Sequence, residues 1–376
     1  MVKKSDKLYR IPYQGSKQAI VGKIYKAINS DIGNTNCLFA DNKITKIYDL
    51  FCGGGAVGYY FSQQGYDVAM NDIQQPLIDL HKKLQDGIDT ELLYKWISRE
   101  EFKELIKKQD WHGELMRRCW SFGNGGTSYL FGKDIEEYKK QGHLIAVNRC
   151  QDAGRKWLEM IGKKNDWQNF SKIYDIETQK ERRLFIRNYI VKNTRNRKFG
   201  KYNDEYLYCS QEEYEIIKDK STVERCKWLN ENQLKNDRGL QRLQQLQRLE
   251  QLQRLQRLEQ LEQLEQLEQL EQLQQLERNI TFTCKNYWEL DLESDSIIYC
   301  DPPYINTAQY GKQIFDFDKF DSWVDEMKNK GIRVYISEYT NHNNKWREIA
   351  SFNKMSLMNN GNTLKTIKQE KVFCNI

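Results

Sequence analysis

The sequence predicts an α/β fold in which two separated parts of the chain build one sheet. Three observations predict it. The run ITKIYDLF at 44–51 leads directly into the glycine turn CGGGAVG at 52–58. A second strand-like run, YDVAMND at 66–72, is followed by the helical pattern IQQPLIDLHKKL at 73–84. Strand and helix patterns resume after residue 279, beyond a long middle region of different texture. Alternating strands and helices, with glycine at the first strand-to-helix turn, open a sheet covered by helices.

The elements follow in order. YQGSK at 13–17 precedes AIVGKIYKAI, whose apolar spacing is helical. Residues 31–46 are polar and turn-rich, the first strand follows, and AVGYYFSQQG at 56–65 is the first helix after the glycines. From 88 to 235 we expect a mainly helical second domain, with TELLYKWISREEFKELIKK as one helical stretch. It is interrupted by the aromatic and glycine-rich CWSFGNGGTSYLFG at 119–132 and by the basic FIRNYIVKNTRNRKFGKYN at 185–203. After the repeat described next, NITFTCKNYWEL and SIIYC read as strands, FDFDKFDSWVDEMKNKG as a helix, IRVYISEY as a strand and TLKTIKQEKVF as part of a late hairpin. The expected division is 1–87 and 280–376 for the catalytic domain, 88–235 for the helical domain and 236–279 for the repeat.

In that repeat, leucine recurs every third residue, thirteen times from Leu240 to Leu276, with only Gln, Arg and Glu between. All four types favour helix. A step of three in an α-helix leaves a drift of about 60°, so the leucines wind round the axis and form no heptad seam. We expect an α-helical insert acting as a spacer or recognition appendage.

Composition bounds the function. With 59 Lys and Arg against 53 Asp and Glu, the net charge is +6, compatible with a polyanionic partner. No apolar run approaches a membrane span, and no secretory signal is visible. The nine cysteines form no CxxC pair and the four histidines are isolated, so we expect reduced thiols, a cytoplasmic protein and no metal site.

The motifs carry the chemistry. Three glycines after a strand let the backbone approach a ligand, and the helix behind them adds outward N–H groups. The spacing excludes a phosphate-binding GxxxxGK[ST] loop and departs from GxGxxG. Asp72 falls 17–19 residues after Gly53–Gly55, where an acid can accept from a ribose diol, or can simply cap the next helix. At Asp301–Tyr304, DPPY ends an apolar strand. Asp301 offers a carboxylate acceptor to an amine N–H, the Pro302 carbonyl offers a second, Pro303 adds rigidity and Tyr304 gives a face for a planar ring. These features fit an exocyclic amine such as N6 of adenine, which must leave the duplex stack to arrive there.

YQGSK, DLFCGGG at 49–55, the Asn71–Asp72 pair and DPPY stand in the order in which this sequence resembles the Dam-like (D12 class) DNA adenine-N6 methyltransferases. The resemblance implies a Rossmann-like methyltransferase sheet with an inserted, mainly helical target-recognition domain, S-adenosylmethionine as cofactor and double-stranded DNA as the partner of a monomer. It implies that Tyr13, Lys17, Phe51, Gly53, Gly55, Asp72 and Asp301 line the cofactor site, and that Asp301, Pro302, Pro303 and Tyr304 hold the flipped adenine. The leucine repeat departs from the family pattern, so no target sequence is carried over.

For DNA contact, Tyr129 and Phe131 could enter a groove or fill the gap left by a flipped base, or pack their own turn. Arg187, Arg195, Arg197 and Lys198 could neutralise phosphates, or form a solvated helix face. Methylation of cytosine N4, of RNA adenine or of protein glutamine, and a catalytically inactive nucleic-acid-binding relative, remain alternatives at this point.

Overall fold

The computed structural model describes residues 10–13, 15–35, 46–123, 125–194, 197–202, 205–209, 216, 219–220, 224, 228, 266–268, 270–271, 273–274, 280–304, 315–340, 345–355 and 367–376. It forms two compact units, Met1–Tyr129 with Gln266–Ile376, and Leu130–Glu265.

The first unit begins with α1 (Val21–Thr35), β1 (Lys46–Asp49), α2 (Ala56–Gln63), β2 (Asp67–Asn71) and α3 (Gln75–Asp86). Short helices α4 (Thr90–Leu93), α5 (Arg99–Leu105) and α6 (Trp111–Cys119) follow, then a hairpin of β3 (Ser121–Phe122) and β4 (Ser128–Tyr129). The second unit holds α7 (Glu136–Ala146), α8 (Gln151–Met160), α9 (Trp167–Phe170) and α10 (Gln179–Thr194), around a core of Trp157, Phe170, Ile186 and Tyr189. It also holds a hairpin of β5 (Arg197–Tyr202) and β6 (Glu205–Cys209). The first unit then resumes with β7 (Ile280–Thr283), β8 (Ile297–Cys300), α11 (Phe317–Asn329), β9 (Arg333–Glu338), β10 (Arg347–Met355) and β11 (Ile367–Cys374).

Seven strands form one sheet in the order β10-β11-β9-β8-β1-β2-β7. The five strands β7, β2, β1, β8 and β9 are parallel, and β11 runs antiparallel to both β9 and β10. In chain order the parallel strands lie 3-2-1-4-5, so the order reverses between β1 and β8. Ligands of such sheets bind outside the carboxyl ends of the strands at that reversal. Every residue of β8 is buried, as a strand covered on both faces requires. On one face Ile298, Cys300, Val334 and Ile336 pack against Phe320, Val324 and Met327 of α11.

Several elements differ from expectation. The stretch at 90–108 is two helices, because Ser98 caps α5 by accepting from the Glu101 N–H at 3.1 Å. The first unit extends to Tyr129, not 87, since α6 packs on α3 and Tyr129 shares an interior with Phe102 and Trp120. Within the region expected to be mainly helical, the basic segment leaves α10 after Thr194 and forms the β5–β6 hairpin. Among the described residues no helix is long and apolar enough to cross a membrane.

Most of the leucine repeat lies outside the described residues. Its described end, at 266–268, 270–271 and 273, is helical, with Leu267, Leu270 and Leu273 buried. Three leucines at steps of three span an arc of about 120°, narrow enough for one face. Glu271 accepts from the Tyr94 hydroxyl at 2.7 Å, and the Gln274 side chain accepts from the Ile88 N–H at 3.0 Å. This end of the repeat is therefore fastened to the first unit. Leu270→Ala should lower stability by about 2–5 kcal/mol in urea unfolding, as other buried leucines do; a loss below about 0.5 kcal/mol would show that the helix is not docked.

Candidate active site

The glycine turn is held from several sides. β1 ends at Asp49, and the ladder runs on as the Leu50 N–H donates to Tyr299 O at 3.0 Å and the Cys52 N–H to Asn71 O at 2.9 Å. Gly53 and Gly55 have φ of 48° and 78°, a region that glycine enters without strain. A Cβ on Gly54 would lie 2.3 Å from Ile11 O, and one on Gly53 would lie 2.9 Å from the Tyr13 ring. The N-terminal segment thus lies directly on the turn, and the Ile11 N–H donates to Gly54 O at 3.0 Å.

From α3, His81 Nε2 lies 2.8 Å from Gly53 O and Nδ1 lies 2.8 Å from the Tyr59 hydroxyl. A carbonyl only accepts, so Nε2 carries the proton and Nδ1 accepts from Tyr59. Burial pushes this imidazole down to about 4, so it is neutral near pH 7. Asp72, at the end of β2, accepts from the Gly53 N–H at 3.1 Å and the Gln74 N–H at 3.0 Å. Burial raises its pKa despite these bonds. Gln74 in turn donates to the Tyr13 hydroxyl at 2.9 Å, and the Arg118 guanidinium lies 4.5 Å from that ring's centre.

Across the reversal, β8 pairs with β1 in the register Asp49 with Tyr299. Parallel neighbours point their carboxyl ends the same way, so the DPPY segment and the glycine turn leave the sheet at one edge. Two prolines cannot continue the ladder, which releases the chain there. The Lys17 ammonium lies 2.5 Å from Asp301 Oδ2, 3.6 Å from Glu370 Oε1 and 4.9 Å from the centre of the Tyr304 ring. The Tyr304 hydroxyl donates to Glu370 Oε1, and its ring meets Tyr339 edge-on at 4.5 Å.

Burial alone would lower the pKa of Lys17, but Asp301 and Glu370 together raise it. For Asp301, burial outweighs the ammonium and raises the pKa. Asp301 Oδ1 is buried with no hydrogen-bond partner, and so is Asp49 Oδ1. The other Asp49 oxygen accepts from the Gly58 N–H at 3.0 Å.

Tyr13, Lys17, Gly53, Gly55, Asp72, Asp301, Pro302, Pro303 and Tyr304 therefore stand on loops at the carboxyl edge of the sheet or directly against them. Phe51 follows β1 and is half-buried against Tyr287, Phe315 and Phe320. Two expected DNA contacts are corrected. Tyr129 is buried, its hydroxyl donating to Ile97 O at 2.7 Å and its ring packed on Phe102, while Phe131 is buried within the second unit. Both rings fill interiors, and the exposed aromatic of that segment is Phe122, 60% accessible on β3. Arg187 is exposed on α10, Arg197 and Lys198 lie on β5, and Arg195 lies outside the described residues. Arg182, earlier on α10, is an interior residue that donates to Ala146 O, Ile176 O and Glu177 O.

Sequence reasoning missed Asp49, His81 and Glu370 as site residues. A signal existed for two of them. His81 falls among Leu77, Leu80 and Leu84 on the buried face of α3, and Glu370 alternates with Val372 and Cys374 at inward positions of β11. Ile73, 59% exposed immediately after Asp72, was also passed over.

A mainly parallel sheet with a glycine turn and a carboxylate at its reversal is consistent with the methyltransferase class of α/β fold. Residues 13–116 match the family described as MethyltransfD12, D12 class N6 adenine-specific DNA methyltransferase, consistent with a Dam-like chain. That stretch carries YQGSK, the glycine turn and Asp72, whereas DPPY lies beyond it. No curated protein matches the chain.

Burial and the nearby Asp301 and Asp72 carboxylates push the Asp49 carboxyl up to about 8. A raised folded pKa gives stability that is fully present below the unfolded value and is lost as pH rises through the folded one. Between pH 6.5 and 8 the unfolding free energy should fall by up to roughly 1.4 kcal/mol per pH unit, a slope that Asp49→Asn removes. An unchanged slope in the variant would show that Asp49 is not its source.

Proposed function

We propose that this protein transfers the methyl group of S-adenosylmethionine to N6 of adenine in double-stranded DNA, with the base turned out of the helix. The observation that carries the reading is Asp301 Oδ1, a buried carboxylate oxygen with no partner, at the sheet edge it shares with the glycine turn. A buried acceptor left unmade is costly, and an amine N–H satisfies it.

The residues present fit the cofactor. The glycine turn brings bare backbone to the ligand, Asp72 keeps lone pairs for a ribose diol, and exposed Ile73 beside it offers apolar surface to a base. Asp301 and Glu370 outnumber the Lys17 ammonium around this edge, a balance suited to a cation. When bound, S-adenosylmethionine supplies a methyl group already activated on a sulfonium. Tyr13, Lys17 and Phe51 line its site.

Asp301 orients the incoming amine and stabilises the charge that develops on it, the Pro302 carbonyl takes its second N–H, and Tyr304 stacks on the ring. Pro303 keeps this segment rigid. The proton leaves to water, so Asp301 acts as an acceptor more than as a base. Arg187, Arg195, Arg197 and Lys198 neutralise phosphates, and Phe122, the exposed aromatic of the glycine-rich segment, is the ring available to fill the space of the extruded base.

The test is transfer of labelled methyl groups to DNA lacking N6-methyladenine, followed by separation of the nucleosides. The wild-type protein should yield N6-methyladenine. Asp301→Ala should lose about 10²–10³-fold in kcat while cofactor affinity, read by calorimetry, changes far less. Label in N4-methylcytosine, label in RNA alone, or an Asp301→Ala protein of full activity would each refute the reading. For the basic segment, Lys198→Ala should weaken binding equally across DNA sequences and reduce the salt slope by about 1; an unchanged slope would remove Lys198 from the interface.

A further inference from the structure

Glu370 is fully buried on β11, yet it belongs to none of the motifs that point to methyl transfer. Its Oε1 accepts from the Tyr304 hydroxyl and lies 3.6 Å from the Lys17 ammonium, and its Oε2 is buried without a hydrogen-bond partner. The groups around it are Lys17 from the N-terminal loop, Asp301 and Tyr304 from the segment after β8, Tyr299 of β8 and Tyr339 after β9.

The charge balance explains why an acid belongs there. Lys17 is 4% exposed, and its ammonium is 2.5 Å from Asp301 Oδ2. With Asp301 as its sole counterion, the lysine would draw that carboxylate's charge to itself and weaken it as an acceptor for an amine. A second carboxylate, 3.6 Å from the ammonium, shares it. The same oxygen fixes the Tyr304 hydroxyl and so sets the angle of the ring beside Asp301.

We infer that Glu370 is a positioning residue for methyl transfer: it divides the Lys17 ammonium with Asp301 and anchors Tyr304, keeping Asp301 Oδ1 free and correctly aimed at the substrate amine. This rests on the methyl-transfer reading above, and it acts through Lys17 and Tyr304 without touching the substrate.

The two contacts separate by mutation. In Glu370→Gln the amide oxygen still accepts from Tyr304, but the negative charge is gone. That variant should lose roughly 10-fold in kcat, with cofactor affinity by calorimetry and KM for DNA each within about threefold of wild type. Glu370→Asp keeps the charge at shorter reach and should recover part of the loss. Glu370→Ala already frees the hydroxyl, so adding Tyr304→Phe should cost little more, a non-additivity that mere core filling does not produce. Circular dichroism and thermal melting establish that each variant is folded, and Glu370→Gln carries the test if Glu370→Ala is not.

Wild-type kcat in Glu370→Gln, or Glu370→Asp no better than Glu370→Ala, would overturn the positioning role. If Asp301→Ala is still inactive in the same assay, the methyl-transfer reading stands without it. Full activity in Asp301→Ala would instead remove the reading itself, and the role of Glu370 with it.

Discussion

The parallel pairing of β1 with β8 is the constraint on which the rest depends. These strands are neighbours in the sheet although their paired residues, such as Asp49 and Tyr299, are separated by most of the chain. Their adjacency places the strand-order reversal where a glycine turn and a carboxylate leave the sheet together. The entropy of closing a long connection grows only logarithmically with its length. A second compact unit and a leucine repeat can therefore lie between the two strands in sequence without preventing their pairing. What the pairing needs in return is a pair of short strands that bury well, and IIYC and the Ile47–Asp49 part of KIYD supply them.

Charge is the second theme of the site. Asp49, Asp301 and Glu370 are placed near one lysine, and each of the three retains a buried oxygen without a hydrogen-bond partner. Such an arrangement costs stability in the free protein, and on the proposed methyl-transfer reading its benefit is acceptors already directed at a ligand. The neutral His81 shows the complementary solution. Buried and pushed down to about 4, it fixes Gly53 O by a hydrogen bond without bringing another charge into the pocket.

Legibility followed the strength of local patterning. The parallel strands were readable as short apolar runs beside turn residues, and helices α1, α2, α3 and α11 by their 3.6-residue apolar spacing. The tail was readable as a hairpin, but its insertion of β11 between β9 and β10 is a tertiary choice with no local signature. The two-stranded β3–β4 and β5–β6 hairpins lie in polar or glycine-rich stretches where alternation is too short to register. For the site, glycine clustering and DPPY reveal themselves in one dimension because their backbone geometry is specific. Asp49 acquires its meaning only from burial beside residues distant in sequence, and Glu370 shows locally only as an acid at an inward position of a strand. Tyr129 shows the reverse case: an aromatic near glycines looked available, and contact with Phe102 and the Ile97 carbonyl buried it.

The central claim is spatial: Asp301 Oδ1 and the glycine turn face one cleft, in which a substrate amine meets the cofactor. A crystal structure of the full chain with a non-reactive cofactor analogue and an adenine-containing duplex tests this most directly. The account predicts an extruded adenine with N6 within about 3 Å of Asp301 Oδ1, and the analogue lying against Gly53 and Gly55. An extruded base bound elsewhere, with Asp301 Oδ1 still unpartnered, would contradict it.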